Sequence, residues 1–184
     1  MKFYIKTKDR GFTLLELMVV IAIIGILATI GYASFGEARQ QARDKVRMAS
    51  LKELQLSIEL FRAQTGNYPT QGCGGVNTFA GPGPVPGGGG FASCDNYIND
   101  INGFVPDFIA ALPRDPNREN EPGVGFYYQS NGTSYKLMVH QAVEVLVVSG
   151  TENEFARCPA LTGSCASGIP TNTYAVYSLG GQDW

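Results

Sequence analysis

A single carboxylate, Glu16, interrupts the most apolar stretch of the chain, Phe12 to Ile30, and this run constrains the fold more than any other feature. Its 19 residues admit only Thr13, Glu16, Gly25 and Thr29 as breaks in an otherwise apolar sequence. As an α-helix the run covers about 28 Å, close to one hydrocarbon core, so it can span a membrane. A carboxylate inside such a span costs roughly 2.5–3.5 kcal/mol, so Glu16 must have a task that offsets this. Lys2, Lys6, Lys8 and Arg10 against Asp9 make the preceding segment cationic, which keeps that end in the cytoplasm and sends the remainder across.

The whole chain of 184 residues carries a formal charge of -2, so the part beyond the basic start is acidic. An acidic body lacks the basic footprint that nucleic-acid binding needs, and no specific nucleic-acid partner is expected. The rival to a retained helix is a secretory signal cut near Ala33, at Gly31-Tyr32-Ala33, which would release a binding protein or enzyme. Such a signal has no use for Glu16, and the sequence past Ala33 continues as helix.

The string Gly11-Phe12-Thr13-Leu14-Leu15-Glu16 resembles the prepilin cleavage motif of type IV pilins and type II secretion pseudopilins. The resemblance implies a cut by prepilin peptidase between Gly11 and Phe12, N-methylation of the new Phe12 amine, and an assembly role for Glu16. No Lys or Arg lies between Thr13 and Ser34, so a cation for Glu16 must come from elsewhere. The Phe12 amine of a neighbouring subunit would supply it, and a helix-start carboxylate favoured by the macrodipole is compatible with that role. The family often has a proline near the position of Ala33; here Gly31 and Gly36 offer the weak point instead.

From Gly36 the chain turns polar, and Leu51, Leu54, Ile58 and Phe61 recur at three- and four-residue intervals as one apolar stripe, widened by Leu56 and Leu60. Arg39, Arg43, Lys45 and Arg47 are expected on a solvated helix face, or against lipid headgroups and acidic partners. Gly66 followed by Pro69 should end the helix, which from Phe12 would exceed fifty residues, or roughly 80 Å. That length makes sense if its first half packs on other copies and its second half on a sheet.

The segments Thr65–Thr70 and Leu112–Pro116 resemble junctions of the major pseudopilins, although the tryptophan-glycine usual after the second is missing. Gly81 to Gly90, GPGPVPGGGG, reads as a loop tip and lacks the Gly-Lys-Ser/Thr of a phosphate cradle. Asn131-Gly132 between two β-rich runs predicts a hairpin, with Tyr135, Leu137 and Val139 on one face and Lys136, Met138 and His140 on the other. Asn131-Gly132-Thr133 also matches a glycosylation sequon, which the hairpin role already explains. A last strand is expected over 173–179.

Four cysteines form two local pairs, Cys73 with Cys94 and Cys158 with Cys165, among three possible connectivities. Disulfides fit an exported body, whereas a metal site wants closer spacing and histidines. His140, the only histidine, reads as a half-exposed packing residue, so no catalytic set and no enzyme is expected. Asp115, Asn117, Glu119 and Glu121 alternate and could offer oxygens to calcium, as some major pseudopilins do by resemblance, without the glycine of an EF-hand.

The expected fold is α+β and pilin-like: a long N-terminal helix, transmembrane then amphipathic, packed on a small antiparallel sheet. It divides into a cleaved leader (1–11), a filament-core helix (12–35) and a periplasmic or extracellular body (36–184). The expected function is a structural subunit of a type IV filament, a pilus or a secretion pseudopilus. The resemblance implies other copies, minor pilins or pseudopilins, and an inner-membrane assembly platform as partners.

Overall fold

The computed structural model describes residues 11–184 except 76, 86–88, 100–102, 149–152, 160–170 and 183, and only the backbone at 30–34. The chain divides into two compact units, Met1–Arg39 and Gln40–Trp184. Helix α1 (Leu14–Thr65) runs through the boundary without a break, so the helix continues past Ala33 as the sequence predicts. Among the described residues, no helix is long and apolar enough to cross a membrane. The run expected to do so continues into 30–34, whose side chains lie outside the described residues.

Within the second unit the predicted stripe is the core-facing side of α1: Leu51, Leu54, Ile58 and Phe61 are all buried. Each such side chain contributes roughly 1.5–3 kcal/mol by leaving water. Leu56 and Leu60 do not widen the stripe; they stand 61% and 48% exposed. Successive helical residues are about 100° apart, which turns both onto the outer face. The helix ends at Thr65, where Gly66 takes φ +86 and its N–H donates to the Arg62 carbonyl, the left-handed stop the sequence predicts.

The sheet has five strands in the order β2-β1-β3-β4-β5: β1 (Phe79–Gly81), β2 (Phe91–Ser93), β3 (Gly125–Ser130), β4 (Tyr135–His140) and β5 (Tyr174–Tyr177). It is mixed rather than wholly antiparallel, because β1 pairs with β2 in parallel, Phe79 opposite Phe91. These strands flank the Pro/Gly stretch read from sequence as loop alone; three residues are too few to display the period of two. A short helical turn, α2 (Phe104–Asp107), lies in sequence between β2 and the hairpin.

The hairpin β3–β4 forms in the predicted register, with Ser130 opposite Tyr135 and Gly125 opposite His140. Tyr135, Leu137 and Val139 join the cluster that receives Leu51, Leu54 and Ile58. Met138 faces the other way, with Phe79, Tyr127 and Ala175, against Phe91, Tyr177 and Trp184. Both faces of the hairpin are therefore covered, and His140 is buried rather than half-exposed. Cys73 and Cys94 are disulfide-bonded at the base of the β1–β2 region. Cys158 is also disulfide-bonded, and its expected partner, Cys165, lies outside the described residues.

Candidate assembly site and the buried charge network

In the first unit, Thr13 and Glu16 form a reciprocal cap on the first turn of α1. The Glu16 Oε2 accepts the Thr13 N–H and the Thr13 hydroxyl, both at 2.8 Å, while the Thr13 Oγ1 accepts the Glu16 N–H at 3.3 Å. Two donors without intrahelical partners are thus satisfied by residues three apart, the capping-box arrangement. The helix-start reading of Glu16 therefore has a specific geometric form. Around it the apolar side chains face outward, from Phe12 at 91% exposed through Leu14, Leu15, Leu17 and Ile21 to Leu27. A carboxylate at the head of such a surface can meet a cation only from outside this helix turn.

In the second unit, two of the arginines expected on a solvated face turn inward. Arg47 has no exposed surface, and its guanidinium forks onto Asp115, Nε to Oδ2 at 2.7 Å and Nη2 to Oδ1 at 2.9 Å. Its Nη1 donates to Asp44 at 2.8 Å and to Glu144 at 3.0 Å. Arg43 forks onto Glu144 from the next turn of the helix, at 2.7 and 2.5 Å. Asp44, buried beside them, accepts the backbone N–H groups of Glu144, Val145 and Leu146. Three carboxylates and two guanidiniums thus join α1 to the loop at 115 and the segment after β4.

The electrostatics follow the contacts. The Arg43 fork, assisted by Arg47, holds the Glu144 carboxyl down at about 2. Burial alone would raise Asp115, but the Arg47 guanidinium and the N–H groups of Asn117 and Arg118 outweigh it and hold the carboxyl below its usual range. Burial likewise opposes the charge on Arg47, and its three acidic partners keep it above the ordinary arginine value. A buried guanidinium so surrounded is tolerated because every charge has a partner.

This network was missed from sequence, although a signal existed. Residues 44, 47, 51, 54, 58 and 61 follow the same three-and-four spacing, so the stripe extended backwards passes through Asp44 and Arg47. Ionisable residues on a core-facing stripe call for buried partners, and reading them as a solvated face overlooked that register.

Of the calcium candidates, Asp115, Glu119 and Glu121 have arginine neighbours. Both oxygens of Asp115 face Arg47, and its Oδ1 also accepts the N–H of Asn117 and of Arg118. Glu121 is forked by Arg118, and Glu119 lies 3.7 Å from Arg114. Among the described residues, no group of three or more His, Cys, Asp and Glu is placed to hold a metal ion. The ring of His140 packs beside Phe91 and Tyr127, and its Nδ1 donates to the Gly123 carbonyl. Burial pushes the His140 pKa below its ordinary value, against the hydrogen bond to Gly123.

The family described as "Prokaryotic N-terminal methylation motif" matches residues 6–32, the segment that contains Gly11, Phe12 and Glu16. Over 109 residues the chain is 34% identical to the type II secretion system core protein G of Escherichia coli (strain K12), a match covering 59% of this chain and 67% of that relative. The chain belongs to the pilin and pseudopilin family. Another pseudopilin relative, the core protein G of Dickeya chrysanthemi, is 30% identical over 111 residues; the match covers 59% of this chain and 63% of that one, just under two thirds of its length. On the pilin side, the type IV major pilin protein PilA of Myxococcus xanthus (strain DK1622) is 38% identical over 61 residues, 33% of this chain and 28% of that one. No solved structure matches the chain.

Proposed function

We propose that this chain is a structural subunit of a type IV filament of the type II secretion kind. It is made as an inner-membrane precursor, cut by prepilin peptidase between Gly11 and Phe12 and N-methylated at Phe12. Copies then pack helix against helix, with the assembly platform and minor subunits as partners and the body in the periplasm or at the cell surface. The observation that carries this reading is the capped Glu16 at the head of an outward-facing apolar helix. Such a surface suits lipid first and other copies of the same helix afterwards, where close packing replaces lipid contacts. The resemblance of Thr65–Thr70 and Leu112–Pro116 to junctions of the major pseudopilins favours the secretion kind over a pilus. N-terminal sequencing of the mature protein tests the proposal: Phe12, carrying a methyl group, is expected as the first residue. A mature chain starting at Ser34, or still carrying its leader, overturns it.

A further inference from the structure

The hairpin tip between β3 and β4 does more than turn the chain. Asn131, Gly132 and Thr133 have the sequence Asn-X-Thr, and both Asn131 and Thr133 are exposed. The side-chain oxygen of Asn131 accepts three hydrogen bonds: from the Thr133 N–H at 3.0 Å, the Thr133 hydroxyl at 2.9 Å and the Ser134 N–H at 2.8 Å. Two backbone donors aimed at one atom require that atom to be the oxygen, which fixes the orientation of the amide. Of the two polar atoms of the Asn131 side chain, Oδ1 is the one that holds the turn. Nδ2 takes no part in it and remains available on the surface, and the hydroxyl two residues on is already hydrogen-bonded to the same amide.

A second observation concerns the surroundings of that nitrogen. Two cavities of about 430 and 440 Å³ flank the tip, and Asn131 and Thr70 line both. Thr65, Asn67 and Asn99 line the first, and Gln71 and Ser130 the second. Neither wall contains a Lys, Arg, Asp or Glu. Amides and hydroxyls supply donors and acceptors together, as the hydroxyls of a neutral sugar ring require, whereas an anionic ligand would be met by arginine or lysine.

We propose that Asn131 is an N-glycosylation site and that the two uncharged cavities seat the first sugars of the attached chain. This goes beyond the filament role and stands independently of it. In the transfer, Nδ2 of Asn131 forms a bond to C1 of a sugar activated by a diphosphate at that carbon. The C1–O bond breaks, its electron pair leaves with the diphosphate, and one amide proton passes to a base of the transferase. No atom is oxidised or reduced.

The test is peptide mass spectrometry on the full chain purified from its own cells. The peptide containing Asn131 is expected to carry a mass increment of whole sugar units, lost in Asn131→Gln and Thr133→Val and retained in Thr133→Ser. An unmodified Asn131 in the unmutated protein overturns the site whatever the variants do, and so does an increment that persists in Asn131→Gln. Hydrogen exchange before and after enzymatic removal of the glycan tests the seating. Slower exchange around 65–75 in the glycosylated form is expected, and identical exchange overturns the seat.

Discussion

Arg47 shows at the scale of one residue how charge holds this fold together. Removing one member of a buried ion network leaves the others without partners, which costs about 3–5 kcal/mol. Arg47→Ala is therefore expected to lose a large part of the stability of the body, read as a lowered denaturant midpoint of the full chain in detergent. Arg47→Lys should rescue little, because an ammonium cannot fork onto Asp115 while also reaching Asp44 and Glu144. The pH dependence has a definite sign. Glu144 titrates at about 2 in the folded chain, below the ordinary glutamate value of about 4.3 in the unfolded one. The unfolded state thus binds the proton first on acidification, and this contribution is fully present above pH ~4.3 and lost as pH falls toward 2. Unfolding midpoints measured across that window should fall in the unmutated chain and be flatter in Glu144→Gln. Apart from Asp44, three positions away, the partners were not legible locally: Asp115 lies 68 positions and Glu144 97 positions from Arg47. The one local signal is the helical register of Arg47 on the same stripe as Leu51 and Leu54, which placing Arg47 on a solvated face overlooks.

For the elements, the sequence was legible where a period or a turn is written locally. The stripe of α1 through Leu51, Leu54, Ile58 and Phe61, its stop at Gly66 and the Asn131-Gly132 hairpin all depend on neighbours within a few residues, and all three are present. The short strands β1 and β2 were not, because three residues carry no alternation and β1 finds its partners across a Pro/Gly connection in β2 and in the distant β3. Leu56 and Leu60 show the cost of counting apolar residues without their angle on the helix. A direct comparison follows from this difference. Leu54→Ala, at a buried position, should cost about 2–5 kcal/mol by leaving a cavity. Leu56→Ala, two residues on and largely exposed, should change the unfolding free energy by no more than about 0.5 kcal/mol. Equal losses for the two would mean that Leu56 is covered in the folded chain.

Across the whole molecule, the question is whether Glu16 serves its own helix or a neighbour. The motif Gly11 to Glu16 was legible because it is contiguous, but a cation supplied by another copy cannot be read from one chain. The cap with Thr13 sharpens the test, since a capping box accepts Gln in place of Glu. Glu16→Gln keeps the acceptor for the Thr13 N–H and removes the charge, whereas Glu16→Leu removes both and eases insertion by about 3 kcal/mol. If the charge pairs with the Phe12 amine of an adjacent copy, both variants insert and are cut after Gly11, yet both remain membrane monomers. Apolar packing in lipid has little preference among axial registers, so losing the one directional contact leaves assembly without a stop. The measurement is the sheared-filament fraction from cells expressing each variant alone, alongside N-terminal sequencing. Normal filaments from Glu16→Gln, with none from Glu16→Leu, would assign the role to the cap and remove the intermolecular ion pair from the account.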